Sequence, residues 1–370
     1  MSGTRADFGL MRSTLQRISD SDCLSLSVLV TGMHLDRRFG HTVDEIVAAG
    51  FPITARIPVP SEPATGAAMA RHIGIMIGGM VDAFLGQRPD LVLLLGDRGE
   101  MLAAAIAAVH LNVHIAHVAG GDRTGTVDEP IRHAVSKLSH FHLTGTAQSR
   151  ERLIRMGEKP EQVIVVGAPG LDDIADMPIP PRAEVLRSFG LDPALPFALM
   201  LYHPVLQDAD HAGREVSDIL AALESTDLQL VALMPNSDAG SDAIRAGLEG
   251  SAARAAFALR THLPRAEFLA AMAHADVMIG NSSAGIVEAA AFGTPVVNVG
   301  PRQKLRERNA NVVDVDCEAD AILKAVRSSL AASRATEPNI YGDGRSGARI
   351  CTFLESVELS SNVLDKVFQD

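Results

Sequence analysis

Short apolar runs alternate with longer amphipathic stretches along almost the whole chain, and this rhythm restricts the fold more than any other feature. A short apolar run without strict alternation reads as a strand covered on both faces. Such strands belong to parallel sheets with crossover helices. The spacing predicts strands over Leu26–Val30, Leu91–Leu95, Val113–Val118, Phe141–Thr144 and Val163–Val166. A second series covers Phe197–Tyr202, Gln229–Met234, Val277–Ile279, Val296–Val299 and Val312–Val315. Between strands, Met69, Ile73, Met76, Met80 and Phe84 recur at steps of three and four, which makes one apolar stripe of a helix.

At 370 residues the chain exceeds what one core usually holds, so two domains are expected. The Pro- and Gly-rich stretch Gly167–Pro181 reads as the linker. The expected division is 1–170, 171–348 and a closing segment 349–370, whose amphipathic pattern runs from Ile350 to Phe368. The fold class is α/β, two Rossmann-like domains with a cleft between them. Residues Met1–Asp7 read as a strand-to-helix loop with no strand ahead of it, so a start further upstream is expected; intact mass of the native protein checks this.

Composition narrows the function. The net charge of −12 and the absence of Trp argue against a nucleic-acid binder, which needs a basic face and stacking platforms. Cys23, Cys317 and Cys351 have no metal or disulfide spacing. No signal-peptide pattern and no apolar run near ~18 residues is read, so the expectation is a soluble, cytoplasmic chain without a membrane partner.

Chemistry-bearing residues cluster just after the predicted strands, where open α/β sheets place ligands. Asp97 and Arg98 follow Leu91–Leu95, either as site residues or as ordinary loop solvation. Asp122, Asp128, Glu129, Arg132 and His133 crowd the segment after Val113–Val118, with Pro130 opening a helix. They supply acid, base and cation for proton transfer, although Asp128 or Glu129 would serve equally as a helix cap. His203 follows Phe197–Tyr202, and Asn236 and Asp238 follow Gln229–Met234. In Ile279–Ile286 a strand runs through Gly280 and Asn281 into Ser282, Ser283 and a helix. The hydroxyls and free N–H groups there suit a phosphate or simply cap the helix, and Glu288 is placed to accept from ribose hydroxyls. Arg302, Lys304, Arg306 and Arg308 form a basic knot, either a diphosphate clamp or a solvated face.

The ordered motifs SGTRAD (Ser2–Asp7), TGMHL (Thr31–Leu35), Gly96–Arg98, Gly120–Gly121, Thr126–Glu129, IRHAVSKL (Ile131–Leu138), His203–Val205, PNSDAGS (Pro235–Ser241), GNSSAGIVE (Gly280–Glu288), FGTPV (Phe292–Val296) and Arg302–Gln303 carry a resemblance. Across essentially its whole length the chain resembles the hydrolysing UDP-N-acetylglucosamine 2-epimerases of sialic-acid and related nonulosonate biosynthesis. The resemblance implies the GT-B architecture, a C-terminal helix crossing back to the first domain, no metal or other cofactor, and a homodimer or homotetramer. It implies elimination of UDP to an enzyme-bound 2-acetamidoglucal, then hydration to N-acetylmannosamine. It places Asp97, Asp128, His203 and Arg132 in the catalytic set. Arg5, Asp7, Arg98, His133, Asn236, Ser282, Ser283, Glu288 and Arg302 fall to the UDP-sugar.

One position departs. Ala119 stands where studied members carry a glutamate, so Asp97 and Asp128 divide the proton work, or Asp122 or His117 takes it over, or the substrate differs. The leading expectation is UDP-N-acetylglucosamine as substrate. The alternatives are the same reaction on a UDP-2,4-diacetamido-2,4,6-trideoxyhexose, and a GT-B glycosyltransferase or UDP-sugar-binding protein.

Overall fold

A computed structural model describes residues 1–172, 174, 177–254 and 256–367. Asp173, Ala175 and Asp176 of the expected linker and Phe368 of the closing segment lie outside the described residues.

The first domain carries β1 (Val28–Thr31), β2 (Ile53–Ile57), β3 (Leu91–Leu95), β4 (His114–Val118), β5 (Phe141–Thr144) and β6 (Val163–Val165). The second carries β7 (Phe197–Leu201), β8 (Gln229–Leu233), β9 (Phe257–Arg260), β10 (Val277–Gly280), β11 (Val296–Val299) and β12 (Val312–Val315). The described pairings are parallel, and the strands facing helices on both sides are the near-continuous apolar runs. In the second domain the order is β9-β8-β7-β10-β11-β12, the Rossmann order. In the first, β3-β4-β5-β6 form one sheet and β1-β2 another. Ser2 bridges Val30 in parallel, and the Met1 ammonium lies 3.5 Å from the Leu93 carbonyl, so the first two residues sit between β1 and β3.

Two strands are absent from the sequence expectation, β2 and β9. Both are edge strands: β2 alternates partly buried and exposed residues, and β9 leaves Phe257, Leu259 and Arg260 only partly buried, so neither shows the covered run of a central strand.

Leu171, Ile174, Val185 and Leu186 pack into the core of the second sheet, so the chain has changed domains by about Leu171. It returns through the helix Ser346–Ser356, where buried Ile350 meets Met11, Phe141, Leu143 and Val166 of the first domain. The Phe353 ring stands edge-on to Phe141 at 5.4 Å. The closing segment is not one helix as expected: Val357 leaves helical geometry and a short second helix covers Ser361–Leu364.

The apolar stripe predicted for Met69–Phe84 lies on the helix Gly66–Gln87, capped by Thr65, whose Oγ1 accepts from Ala68 N at 3.2 Å. By length and composition alone this helix is apolar enough to cross a membrane, contrary to the expectation of no such run. Its Ala68, Met76, Met80 and Phe84 are buried against the first sheet's core, as in a core helix. Met69 and Ile73 of the same stripe stay partly buried.

Candidate active site

In the second sheet the strand order reverses between β7 and β10, and a crevice opens beyond their C-terminal ends. Gly280 ends β10 at φ +132°, where an added Cβ would sit 1.9 Å from the Leu201 carbonyl oxygen, so only glycine fits. The close approach lets the two loops lock together. The His203 backbone N–H donates to Asn281 Oδ1 at 2.8 Å, and Asn281 Nδ2 donates to the His203 carbonyl at 2.8 Å. His203 Nδ1 accepts from the Asn236 backbone N–H at 3.3 Å, so the neutral ring carries its proton on Nε2. Burial, helped by the Arg302 charge, lowers His203 to about 3 and keeps that neutral form at physiological pH.

Ser282 caps the single-turn helix Ser283–Val287, its Oγ accepting from Ala284 N at 3.4 Å. Ser282, Ser283 and Glu288 all line the crevice. Glu288 is buried, ends that short helix and is ion-paired with Arg265; burial raises its carboxyl.

The first domain brings its own strand ends to the same cleft. Asp97 and Arg98 follow β3, Ala119 and Asp122 follow β4, and Asp128 begins the helix Asp128–Leu138. Asp97 is ion-paired with Arg132, which is fully buried behind it and also donates to the Asp122 carbonyl at 3.0 Å. Burial alone would raise Asp97, but Arg132 and Arg306 outweigh it and hold the carboxyl at about 2. Asp128 differs. Burial raises it, the Asp97 and Asp238 charges add to the rise, and Arg302 at 3.2 Å offsets part of it. Two carboxyls on one wall are thus driven apart, one toward the carboxylate and one toward the acid.

Arg98 reaches Glu100 at 3.3 Å and, across the cleft, Asp238 at 3.1 Å; these carboxylates overcome the effect of burial and raise it. Asn236 and Asp238 hydrogen-bond each other in the same loop. Arg5 reaches over to the Leu263 carbonyl. Asp7 works as a local fastener, accepting from Ser2 Oγ at 2.6 Å and from the Gly3 and Thr4 N–H groups within the Thr4 capping box. Both line the cleft. His133 does not. It lies 3.6 Å from Glu129 on the same helix, partly buried, and is not part of the cleft lining.

The substitutes considered for the missing glutamate are occupied. His117 is fully buried, with Nε2 against the Gly96 carbonyl at 2.7 Å and Nδ1 against Ser136 Oγ at 2.9 Å; burial lowers it to about 3. Asp122 accepts from Ser149 Oγ at 2.7 Å and is ion-paired with Arg306. Ala119 itself lines the cleft with φ +60°, a left-handed conformation uncommon for a residue with a Cβ.

Arg306, Asp238 and Arg265 belong to the site; the sequence reading did not name Arg265, and it placed Asp238 only in the polar loop after its strand. Arg306 sat inside the basic knot, and that knot was the available signal. The cleft between the domains encloses a cavity of about 330 Å³. Its walls carry Arg5, Arg98, Arg132, Arg265, Arg302 and Arg306, guanidinium groups of the kind that bind a diphosphate, interleaved with Asp7, Glu45, Asp97, Asp122, Asp128 and Glu288. Among the described residues no group of three or more His, Cys, Asp or Glu side chains is placed to hold a metal ion.

Two Rossmann-like domains facing each other across a cleft lined by arginines and carboxyls, with a carboxylate pair on one wall and a switch-point loop pair on the other, define a GT-B-type protein. A sequence model of the UDP-N-acetylglucosamine 2-epimerase family matches residues 16–355, and the chain belongs to that family. It is 47% identical over 366 residues to the UDP-N,N'-diacetylbacillosamine 2-epimerase (hydrolyzing) of Legionella pneumophila, covering 99% of this chain and 97% of that one. It is 32% identical over 346 residues to the UDP-N-acetylglucosamine 2-epimerase of Neisseria meningitidis, covering 93% and 90%. The solved UDP-GlcNAc 2-epimerase from Neisseria meningitidis bound to UDP-GlcNAc superposes with a TM-score of 0.78 at 18% identity, covering 95% of this chain and 97% of that one, which shows the shared GT-B fold.

Proposed function

We propose that this enzyme is a hydrolysing 2-epimerase acting on a UDP-2,4-diacetamido-2,4,6-trideoxyhexose, releasing UDP and the free 2-epimeric sugar. The observation that carries the reading is the full-length 47% identity to the Legionella pneumophila enzyme. UDP-N-acetylglucosamine, the leading expectation from sequence, becomes the second reading, favoured by the 32% identity to the Neisseria meningitidis enzyme.

In this reading Ser282, Ser283, Glu288 and Arg302 hold the UDP, and Asp97 and Asp128 flank C1 and C2 of the sugar. Asp97, held as a carboxylate by Arg132 and Arg306, takes the C2 proton. The C1–O bond breaks, its electron pair leaves on the UDP oxygen, and C1=C2 forms. His203 donates its Nε2 proton as a hydrogen bond to the departing diphosphate. Water then adds through oxygen to C1, and Asp128 returns a proton to C2 on the opposite face. The proton given up by water restores Asp128, and the one on Asp97 passes to UDP or solvent. The reaction uses no metal and no nicotinamide, and the enzyme acts in the cytoplasm as a homodimer or homotetramer.

NMR of the purified protein with each UDP-sugar in D₂O tests the proposal. Release of UDP with a free 2-epimeric sugar deuterated at C2, faster from the diacetamido substrate, is the expected result. Faster turnover of UDP-N-acetylglucosamine establishes the second reading. Turnover of neither sugar nucleotide rejects both.

A further inference from the structure

A side pocket opens off the main cleft on the first-domain side, and Asp97, Arg98 and Asp128 line both spaces. The nucleotide-side residues Ser282, Ser283, Glu288 and Arg265 line only the main cleft. The two carboxyls therefore stand at a neck. A substrate with UDP in the main cleft and C1–C2 at the carboxyls sends the far end of its sugar ring toward the side pocket.

One side of it is apolar, built by Met69, Ile73, Met76, Val127 and Ile131, while charged residues such as Asp36, Glu62, Asp238 and Asp242 line the rest. Met69 and Ile73 are the two members of the helix stripe that the core leaves partly uncovered. The charged groups nearby are already engaged: Asp36 with Arg38 at 2.7 Å, Arg98 with Glu100 and Asp238, Glu62 with Arg71, and Asp242 with the Ala64 N–H at 3.3 Å. One polar atom is not. His72 Nε2 is buried, has no hydrogen-bond partner among the described residues, and lies 4.0 Å from Glu62. The pocket thus offers apolar contact for methyl groups and one unsatisfied ring nitrogen. A primary hydroxyl placed there gives up water and meets hydrocarbon, whereas a methyl gains contact. An amide answers the free nitrogen.

We infer that this side pocket is the specificity element of the enzyme, with His72 receiving a 4-acetamido group and Met69 and Ile73 receiving the 6-methyl of the sugar. The inference rests on the 2-epimerase reading above and narrows its substrate class. It follows that kcat/KM is higher for the UDP-2,4-diacetamido-2,4,6-trideoxyhexose than for UDP-N-acetylglucosamine by about 10- to 100-fold, the range that one or two small groups command in a shaped pocket.

The test is the ratio of the two kcat/KM values in the parent, His72→Leu, Met69→Gln and Ile73→Gln, with UDP affinity and melting temperature measured alongside. Ile73 packs against Gly99, so its variant risks the fold; Met69→Gln and His72→Leu at the pocket wall keep the test open if it is lost. The expected result is a ratio that falls about tenfold in His72→Leu and Met69→Gln with UDP affinity unchanged. A parent that turns over both sugars equally, or a ratio that all folded variants keep, overturns the inference while leaving the 2-epimerase reading standing. A parent that turns over neither removes that reading and the inference with it.

Discussion

Asp97 and Asp128 are the same functional group in two different fields. Against its burial, Arg132, Arg306 and Arg302 hold Asp97 to about 2, while burial and the Asp97 and Asp238 charges push Asp128 upward against Arg302 and Arg98. Removing the charge from Asp97 without changing its shape therefore separates chemistry from binding. Asp97→Asn keeps an oxygen for Arg132 to bond, so the fold and the UDP affinity are expected to survive. Turnover is expected to fall by about 10²–10⁴-fold, the usual weight of a general base. Steady-state kinetics and a UDP titration check this, and near-parental turnover removes Asp97 from the reaction. His203→Phe tests the other wall. It deletes the Nε2–H donor, and turnover should drop while melting temperature holds. Asp97 and His203 were legible because each follows an apolar run within two residues, and Asp128 because it stands in the dense polar segment beyond another. Arg132 was legible as a residue but not in its setting, since nothing in IRHAVSKL says that this guanidinium is wholly buried behind Asp97.

Among the elements, β7 and β10 position the site, and the turn after β10 is where sequence and packing meet. A Cβ at residue 280 would lie 1.9 Å from a backbone carbonyl that cannot move without breaking the β7–β10 pairing. Gly280→Ala is expected to destabilise the second domain by about 3 kcal/mol or more, combining left-handed strain with a backbone clash. Denaturant unfolding measures it, and a loss under about 1 kcal/mol would show that the turn can relax. The central strands were readable because burial on both faces demands uninterrupted apolar residues. β2 and β9 were not, because an edge strand is not covered on every side and has no such demand. The break at Val357 likewise left no mark in the amphipathic pattern.

Across the whole molecule, charges from opposite domains close the cleft: Arg302 on Asp128, Arg306 on Asp122, and Arg98 on Asp238. Buried histidines make the assembly sensitive to acid. His117 and His203 are lowered to about 3, so below their unfolded value of 6.5 the unfolded chain binds protons that the folded one refuses. Their stability contribution is complete above pH 6.5 and is lost as pH falls toward 3. At pH 5 the fully buried His117 costs about 2 kcal/mol relative to neutrality, at 1.36 kcal/mol per unit, and His203, partly open to the cleft, costs less. Asp128 and Glu288, both raised, oppose this over a lower range, and Asp97 adds a further loss below its unfolded 3.8. A melting temperature that stays level between pH 7.5 and 5 would contradict the burial of these rings.

By itself the sequence determined a pair of parallel α/β domains and the loops that carry the chemistry. Both follow from local rules, the covering of strands and the direction in which they end. The tertiary structure decided which of those loops meet. Arg302 and Asp128 lie 174 residues apart, Arg306 and Asp122 184, and no spacing along the chain encodes such a contact. It also placed His133 outside the cleft and gave two like carboxyls opposite tendencies. A side chain's proton affinity depends on burial and on the charges packed around it, and those exist only once the domains face each other.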